Sequence, residues 1–231
     1  MPAAIKLGVT STTTSPRSVR LKDGTEIVIR QIAPEDKRVL KGAFDRLSEE
    51  SRFRRFLSPK NQLTEAELAF LTEVDHHDHE AVVAVRPRED EGIGVARFVR
   101  SERSPEVAEV AVTVADDWQH RGVGTALLAE LVERARSVGV RRFSAVVHSS
   151  NRPMFELLQQ LGAVVDRSRD GDTVEIELEL PAREGVGTQL ESALRAAATG
   201  HLTMAFMLPS GMMLSNRFWA RLYAREGDRG N

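Results

Sequence analysis

The stretch able to do chemistry is 106–128, EVAEVAVTVADDWQHRGVGTALL. It reads as a strand, a short polar turn and the first turns of a helix, with Gln119-His120-Arg121-Gly122-Val123-Gly124 at the junction. Two glycines there let the backbone approach a ligand with no Cβ in the way, and the first helical turn offers unpaired N–H groups carrying partial positive charge. Such a junction binds phosphate. Spacing removes two common phosphate ligands. A dinucleotide fingerprint needs a third glycine at 127, where Leu127 stands, and an acid about twenty residues on, where 143–147 is apolar. A P-loop needs Gly-Lys-Ser/Thr, and Gly122 is followed by Val-Gly-Thr.

Upstream, Glu109 interrupts an otherwise apolar run of Val107, Val110, Ala111, Val112 and Val114. Buried, its carboxyl would rise above the usual value of about 4.3 and become a better general base. Pointing off a solvent face it would do nothing, and the alternation alone leaves the two readings even. A second polar cluster, Val74-Asp75-His76-His77-Asp78-His79-Glu80, invites a metal. Consecutive ligands make a poor tetrahedral site, and no other His or Cys cluster completes one. The expectation is no metal, with this loop forming a polar rim near the acceptor side.

Composition narrows the classes further. The chain has 231 residues, 41% of them apolar, and a net charge of −2, so no basic field supports nucleic-acid binding. It contains no cysteine, which removes disulfides, thiolate metal sites and a cysteine nucleophile, and suits the cytoplasm. No run of about eighteen apolar residues marks a membrane span. The Ser/Thr-rich, basic start suits a disordered arm over 1–18, or a transit peptide.

The elements around the junction follow from periodicity. A strand begins at Thr25 after the turn Lys22-Asp23-Gly24, and Pro34 opens a helix carrying Val39, Leu40, Ala43, Phe44 and Leu47. Ser48 restarts a second helix whose Arg52, Arg54 and Arg55 read as a solvated basic face, the alternative being that they help hold an acidic partner or the CoA phosphates. Thr64-Glu-Ala-Glu67 has the form of a capping box for a third. Strands are expected at 81–86 and 93–100 as a hairpin, and at 107–114 before the glycine loop. The helix after the loop turns Leu127, Leu128, Leu131, Val132, Ala135 and Val138 inward and stops at Gly139. A strand over 142–148, a helix started by Asn151 and Pro153, and a hairpin from 163 to 180 complete an antiparallel-rich α/β sheet with one parallel crossing at the loop.

The Gln-x-x-Gly-x-Gly loop, its helix, the start Asn151-x-x-Met154 and the stop Leu161-Gly162 resemble, in that order, the GNAT N-acetyltransferases over roughly 20–180. More narrowly, Leu47-Ser-Glu-Glu-Ser-Arg-Phe-Arg-Arg-Phe, Val74-Asp-His and Ala108-Glu-Val-Ala are similar to the catalytic domain of bacterial Pat-type protein lysine acetyltransferases. The resemblance implies the GNAT fold, a mixed, mostly antiparallel splayed sheet flanked by helices, over 19–181. It implies acetyl-CoA as co-substrate and Glu109 as general base. The cofactor would be held by Val112, Thr113 and Val114, by Gln119, His120, Arg121, Gly122, Val123, Gly124 and Thr125, and by Asn151 and Met154. The backbone N–H of Val114 would polarise the thioester carbonyl, and N–H groups from Gln119 to Thr125 would take the pyrophosphate, with Arg121 adding charge. Many GNAT enzymes place a tyrosine acid seven residues after the asparagine; Leu158 stands there, and the chain's one tyrosine is Tyr223.

Without cysteine, a thiol acyl-enzyme is excluded and direct transfer in a ternary complex is implied. The expected acceptor is a primary amine, foremost a protein lysine. The alternatives are a small amine or amino acid, or a non-catalytic acyl-CoA sensor. Residues 182–231 read as an amphipathic helical extension, with Phe218, Trp219, Leu222 and Tyr223 on one face and Arg217, Arg221 and Arg225 beside it. Its expected role is docking on its own domain or on a second copy, the alternatives being a membrane surface or a partner.

Overall fold

The computed structural model describes residues 15–89, 91–151, 155 and 163–180. The expected arm up to residue 14, the helix expected after Asn151 apart from Phe155, and the extension at 182–231 lie outside the described residues.

Eight strands form one sheet: β1 Arg17–Arg20, β2 Glu26–Gln31, β3 His79–Arg86, β4 Glu91–Arg100, β5 Val107–Val114, β6 Arg142–His148, β7 Ala163–Asp170 and β8 Thr173–Glu179, in the spatial order 1-2-3-4-5-6-8-7. Every neighbouring pair is antiparallel except β5 and β6. That one parallel pair requires a crossover, supplied by α4, Val123–Ser137. The expectation of a single parallel step at the glycine loop is met. β1 is not as expected. Arg17 and Ser18, read as part of the arm, pair with Ile29 and Val28.

Alternation sorts the side chains to two faces. On one, Ala108, Val110, Val112 and Val114 of β5 meet Leu127, Leu128 and Leu131 of α4. Each of those leucines is at most 1% exposed, and such burial contributes about 1.5–3 kcal/mol per side chain. On the other, Ala81, Val83 and Val85 of β3 and Val95 of β4 lie under α1 (Lys37–Asp45) and α3 (Glu65–Thr72) through Leu40, Phe44, Leu68 and Leu71. α3 starts with the expected capping box, Thr64 Oγ1 accepting from Glu67 N–H at 3.2 Å and Glu67 from Thr64 N–H at 2.8 Å. Between these helices runs α2, Glu49–Phe56, capped by the Ser48 hydroxyl and ended by Leu57 in the left-handed conformation.

A bulge adjusts the middle of the sheet. Val85 pairs with Gly92 and Ala84 with Gly94, so Ile93 is an extra residue that reverses which way β4 faces. Gly92 then abuts α1, where a Cβ would stand 2.6 Å from Val39 Cγ1, while Gly94 abuts α4, where a Cβ would stand 3.0 Å from Leu127 Cδ1. A side chain at Gly92 would clash with the α1 backbone, one at Gly94 would be tight, and both helices press close to β4.

β5 and β6 pair at just three positions, Val107 with Arg142, Ala108 with Phe143 and Glu109 with Ser144. Beyond Glu109 they part, and the glycine loop lies at the open end.

Candidate active site

Glu109 stands at the last paired position before the strands part. It lies on the face of α1 to α3, the same side as Thr113, because both are odd-numbered on β5. The residue keeps some exposure, yet Oε1 is out of water and has no hydrogen-bond partner. Burial pushes its carboxyl up to about 7; the Arg55 charge opposes that rise and Glu175 adds to it. Of the two readings the alternation left open, the solvent-facing one is therefore excluded.

Arg55 corrects an expectation. It belongs to α2, and instead of joining a solvated face it is buried beside Ser51, one turn earlier. Its guanidinium lies 5.0 Å from the Phe56 ring and feels Glu109 electrostatically, but no hydrogen bond joins them. Burial pulls its pKa down to about 10. Arg52 and Arg54 do sit further out, Arg52 against Phe44 and the Asp45 carbonyl, Arg54 against Glu50. Arg97 on β4 is a second buried arginine that the sequence reading missed. The signal was present: Arg97 breaks the apolar run of β4 as Glu109 breaks that of β5.

The polar loop before β3 also differs from a simple rim. Asp75 Oδ1 accepts from the N–H groups of His77, Asp78 and His79, each at 2.9 Å, and this folds the loop. His79 turns inward, its Nε2 3.1 Å from Arg97 Nη1; burial and the Arg97 charge lower its pKa to about 3, so it stays neutral. His76 binds Glu80 on the opposite side. Among the described residues no three His, Cys, Asp or Glu converge as metal ligands.

Ladder parity decides which backbone groups face the gap between β5 and β6. Ala115 N–H donates to the Ile93 carbonyl at 3.0 Å and Ser101 N–H to that of Val107 at 2.9 Å. Odd-numbered residues of β5 therefore exchange bonds with β4, and Val112 and Val114 direct their N–H groups toward the parted β6. The side chains of these two valines are buried under α4, so only their backbone is available. Gln119 Nε2 donates to the Val114 carbonyl at 3.1 Å and to Asp116 Oδ1 at 3.0 Å, tying the loop to the end of β5.

The loop itself is shaped by positive φ at His120 (61°) and Gly122 (88°), the second at the N-cap of α4. Ala126 N–H is the first to bond back, to the Gly122 carbonyl, so Val123, Gly124 and Thr125 carry the open N–H groups of the first turn. Arg121 is committed elsewhere. Its guanidinium bonds Asp23 at 2.7 Å and Thr25 Oγ1 at 2.8 Å and covers the Trp118 ring at 4.1 Å, against the expected phosphate contact. Asn151 is 2% exposed and its carbonyl accepts from Phe155 N–H, as a helix start requires. Met154 lies outside the described residues.

Among the described residues, no helix is long and apolar enough to cross a membrane.

Residues 44–163 match the family model of the acetyltransferase (GNAT) family. Acetyltransferase Pat of Mycolicibacterium smegmatis is 38% identical over 168 residues, 72% of this chain and 50% of Pat, so the chain spans about half that relative's length. Acetyltransferase PA5475 of Pseudomonas aeruginosa is 32% identical over 155 residues, 66% of this chain and 83% of that protein. The crystal structure of the GNAT domain of S. lividans PAT superposes with a TM-score of 0.65 at 30% identity, over 71% of this chain and 97% of that one. A splayed mixed sheet, a glycine loop opening α4 and a sequence match over half the chain agree: the chain belongs to the GNAT acetyltransferase family.

Proposed function

We propose that the chain transfers an acetyl group from acetyl-CoA directly to a primary amine, that of a protein lysine, with Glu109 as general base. The observation that carries this is the Glu109 carboxyl. Its Oε1 is buried without a hydrogen-bond partner, burial pushes the carboxyl up to about 7, and it stands where β5 and β6 separate. A carboxyl titrating near neutrality is ionised often enough to act and basic enough to take a proton from an ammonium.

In this reading the open N–H groups of Val123, Gly124 and Thr125, with the loop backbone from Gln119, receive the pyrophosphate of the donor. Gln119 braces that loop through its side chain and Asn151 meets the pantetheine end. The Val114 N–H faces the gap and donates to the thioester oxygen as charge develops there. Glu109 takes one proton from the acceptor ammonium, directly or through a water. The amine nitrogen attacks the thioester carbon, the C–S bond breaks as the amide C–N bond forms, and the second proton released by the nitrogen passes through water to the departing thiolate. Thiolates are weak enough bases to leave without a side-chain acid, which suits Leu158 at the position where related enzymes carry tyrosine. The lysine acceptor is supported by the segments shared with Pat-type enzymes, including the α2 sequence that carries Arg55.

The test is acetylation of lysine peptides followed by mass spectrometry, wild type against Glu109→Gln. A fall in kcat of about 10²- to 10⁴-fold is expected. A variant as fast as wild type removes Glu109 as the base, and saturable acetyl-CoA binding with no transfer to any amine leaves a sensor instead.

A further inference from the structure

On the face of α1 to α3, a partly open pocket lies between α1, α2 and strands β4 and β5. Its walls are mainly apolar, with Leu40, Phe44, Phe56 and Leu63 prominent. Three polar groups from three different elements line it with buried atoms that have no hydrogen-bond partner: Arg55 Nη1 from α2, Arg97 Nε from β4 and Thr113 Oγ1 from β5. The two arginines are 4% and 2% exposed, so water does not serve them as it would at a surface.

The charges do not cancel within the chain. Arg97 is pinned by the Leu71 carbonyl and by neutral His79, each at 3.1 Å, neither of which carries a negative charge. Arg55 holds only the Phe56 ring and the field of Glu109, one carboxyl that burial itself drives toward the neutral form. Two guanidiniums thus face an apolar space with a single, half-neutralised counter-charge nearby. Three donors lining one pocket, with Arg97 offering its Nε alone, suit the two oxygens of a monoanion. A phosphate would bring a second charge and a third oxygen that these walls do not serve.

We infer that this cavity binds a carboxylate on an apolar stem, its oxygens received by Arg55, Arg97 and Thr113 and its stem by Leu40, Phe44 and Phe56. The inference keeps the acyl-transfer chemistry and departs from the acetyl-to-lysine pairing in one partner: the carboxylate comes either from a free amino acid as acceptor in place of a protein lysine, or from the far end of a dicarboxylic acyl group on CoA in place of acetyl.

Calorimetry with hexanoate and its neutral isostere hexanamide tests the site without turnover. Hexanoate should bind at least tenfold more tightly than hexanamide, Arg55→Gln should erase that difference, and Thr113→Val, which keeps the shape, should weaken hexanoate several-fold. Circular dichroism and thermal unfolding that match wild type in Arg55→Gln and Thr113→Val guard against misfolding. Equal affinity for the two probes, or hexanoate binding indifferent to both substitutions, overturns the inference. Two kinetic arms then separate the sources: succinyl-CoA against butyryl-CoA with a lysine peptide, and acetyl-CoA with a free amino acid against its carboxamide. A tenfold preference for the carboxylate in one arm, lost in Arg55→Gln, identifies the source; no preference in either arm overturns the inference. Glu109→Gln should stop transfer while leaving hexanoate bound, so failure of the base assignment and failure of the carboxylate site are read separately.

Discussion

The sheet carries buried charge on both faces, and the two sets are treated oppositely. Under α4, Glu80 is saturated: Oε1 is within 2.7 Å of His76 Nδ1 and accepts from Ala81 N–H at 2.8 Å, Oε2 accepts from Gln31 Nε2 at 3.0 Å, and Arg134 stands 3.5 Å away while bonding Glu130 at 3.0 Å. Under α2, Glu109, Arg55, Arg97 and Thr113 each retain a buried atom with no partner. A satisfied buried network specifies and rigidifies a core; an unsatisfied one costs stability unless another molecule completes it. On the proposed reading, the α4 face holds the chain together and the unpartnered group under α2 meets a ligand.

That contrast breaks first if core and site respond alike to substitution. Leu127→Ala, in the packed face, should lower unfolding free energy by about 2–5 kcal/mol in urea denaturation. Glu80→Ala, which strips partners from Gln31, His76 and Arg134, should cost about 3 kcal/mol. Arg55→Met, although it also removes a buried charge, should leave the thermal midpoint unchanged or higher, because the folded chain gives that guanidinium no hydrogen bond. A loss as large as that of Glu80→Ala would mean the two faces are alike.

A smaller effect sharpens the comparison through pH. Glu109 must be ionised to act, so kcat/KM should rise with pH along a limb centred near 7. Removing the Arg55 charge disfavours the carboxylate, so Arg55→Met moves the limb to higher pH; Glu175→Gln removes a repelling charge and moves it lower. Stability should follow a different limb. His79 is held neutral in the folded chain with its pKa depressed to about 3, so the stability it confers is complete above the unfolded value of about 6.5 and is lost as pH falls toward 3. Acid unfolding of His79→Gln should lack that component. The smallest effect belongs to the rim of the glycine loop. Arg121→Ala breaks a largely exposed ion pair with Asp23, worth about 0–1 kcal/mol, and should change KM for acetyl-CoA less than twofold. A tenfold rise would return Arg121 to the phosphate.

Residue patterns made the sheet legible because its strands alternate cleanly and its turns carry Asp-Gly, Gly or Pro. They made Glu109 visible as a charge out of pattern, and the same test applied to GVARFV of β4 would have found Arg97. β1 was hidden because Arg17-Ser-Val-Arg20 is short, polar and at the sheet edge, where only pairing with β2 makes it a strand. Arg55 was hidden in a run of three arginines. Which of them turns inward depends on the phase of α2, set by the Ser48 cap, and on where β5 lies beneath it. No local signal carries that second fact.

The three-residue seam between β5 and β6 has a mechanical consequence. Strands β6, β8 and β7 are joined edge to edge, while β6 pairs with β5 at just three positions, Val107, Ala108 and Glu109. Such a seam is where a folded chain opens first, so in native-state hydrogen exchange the amides of β6 and β8 should behave as a cooperative unit weaker than β3 and β4. A donor lodged in the gap touches both sides of that seam and binds only while it is closed. At a hundredfold excess over its Kd it would deepen the folded well by about 2.7 kcal/mol, so the slowest-exchanging amides of β6 would report on occupancy of the cleft.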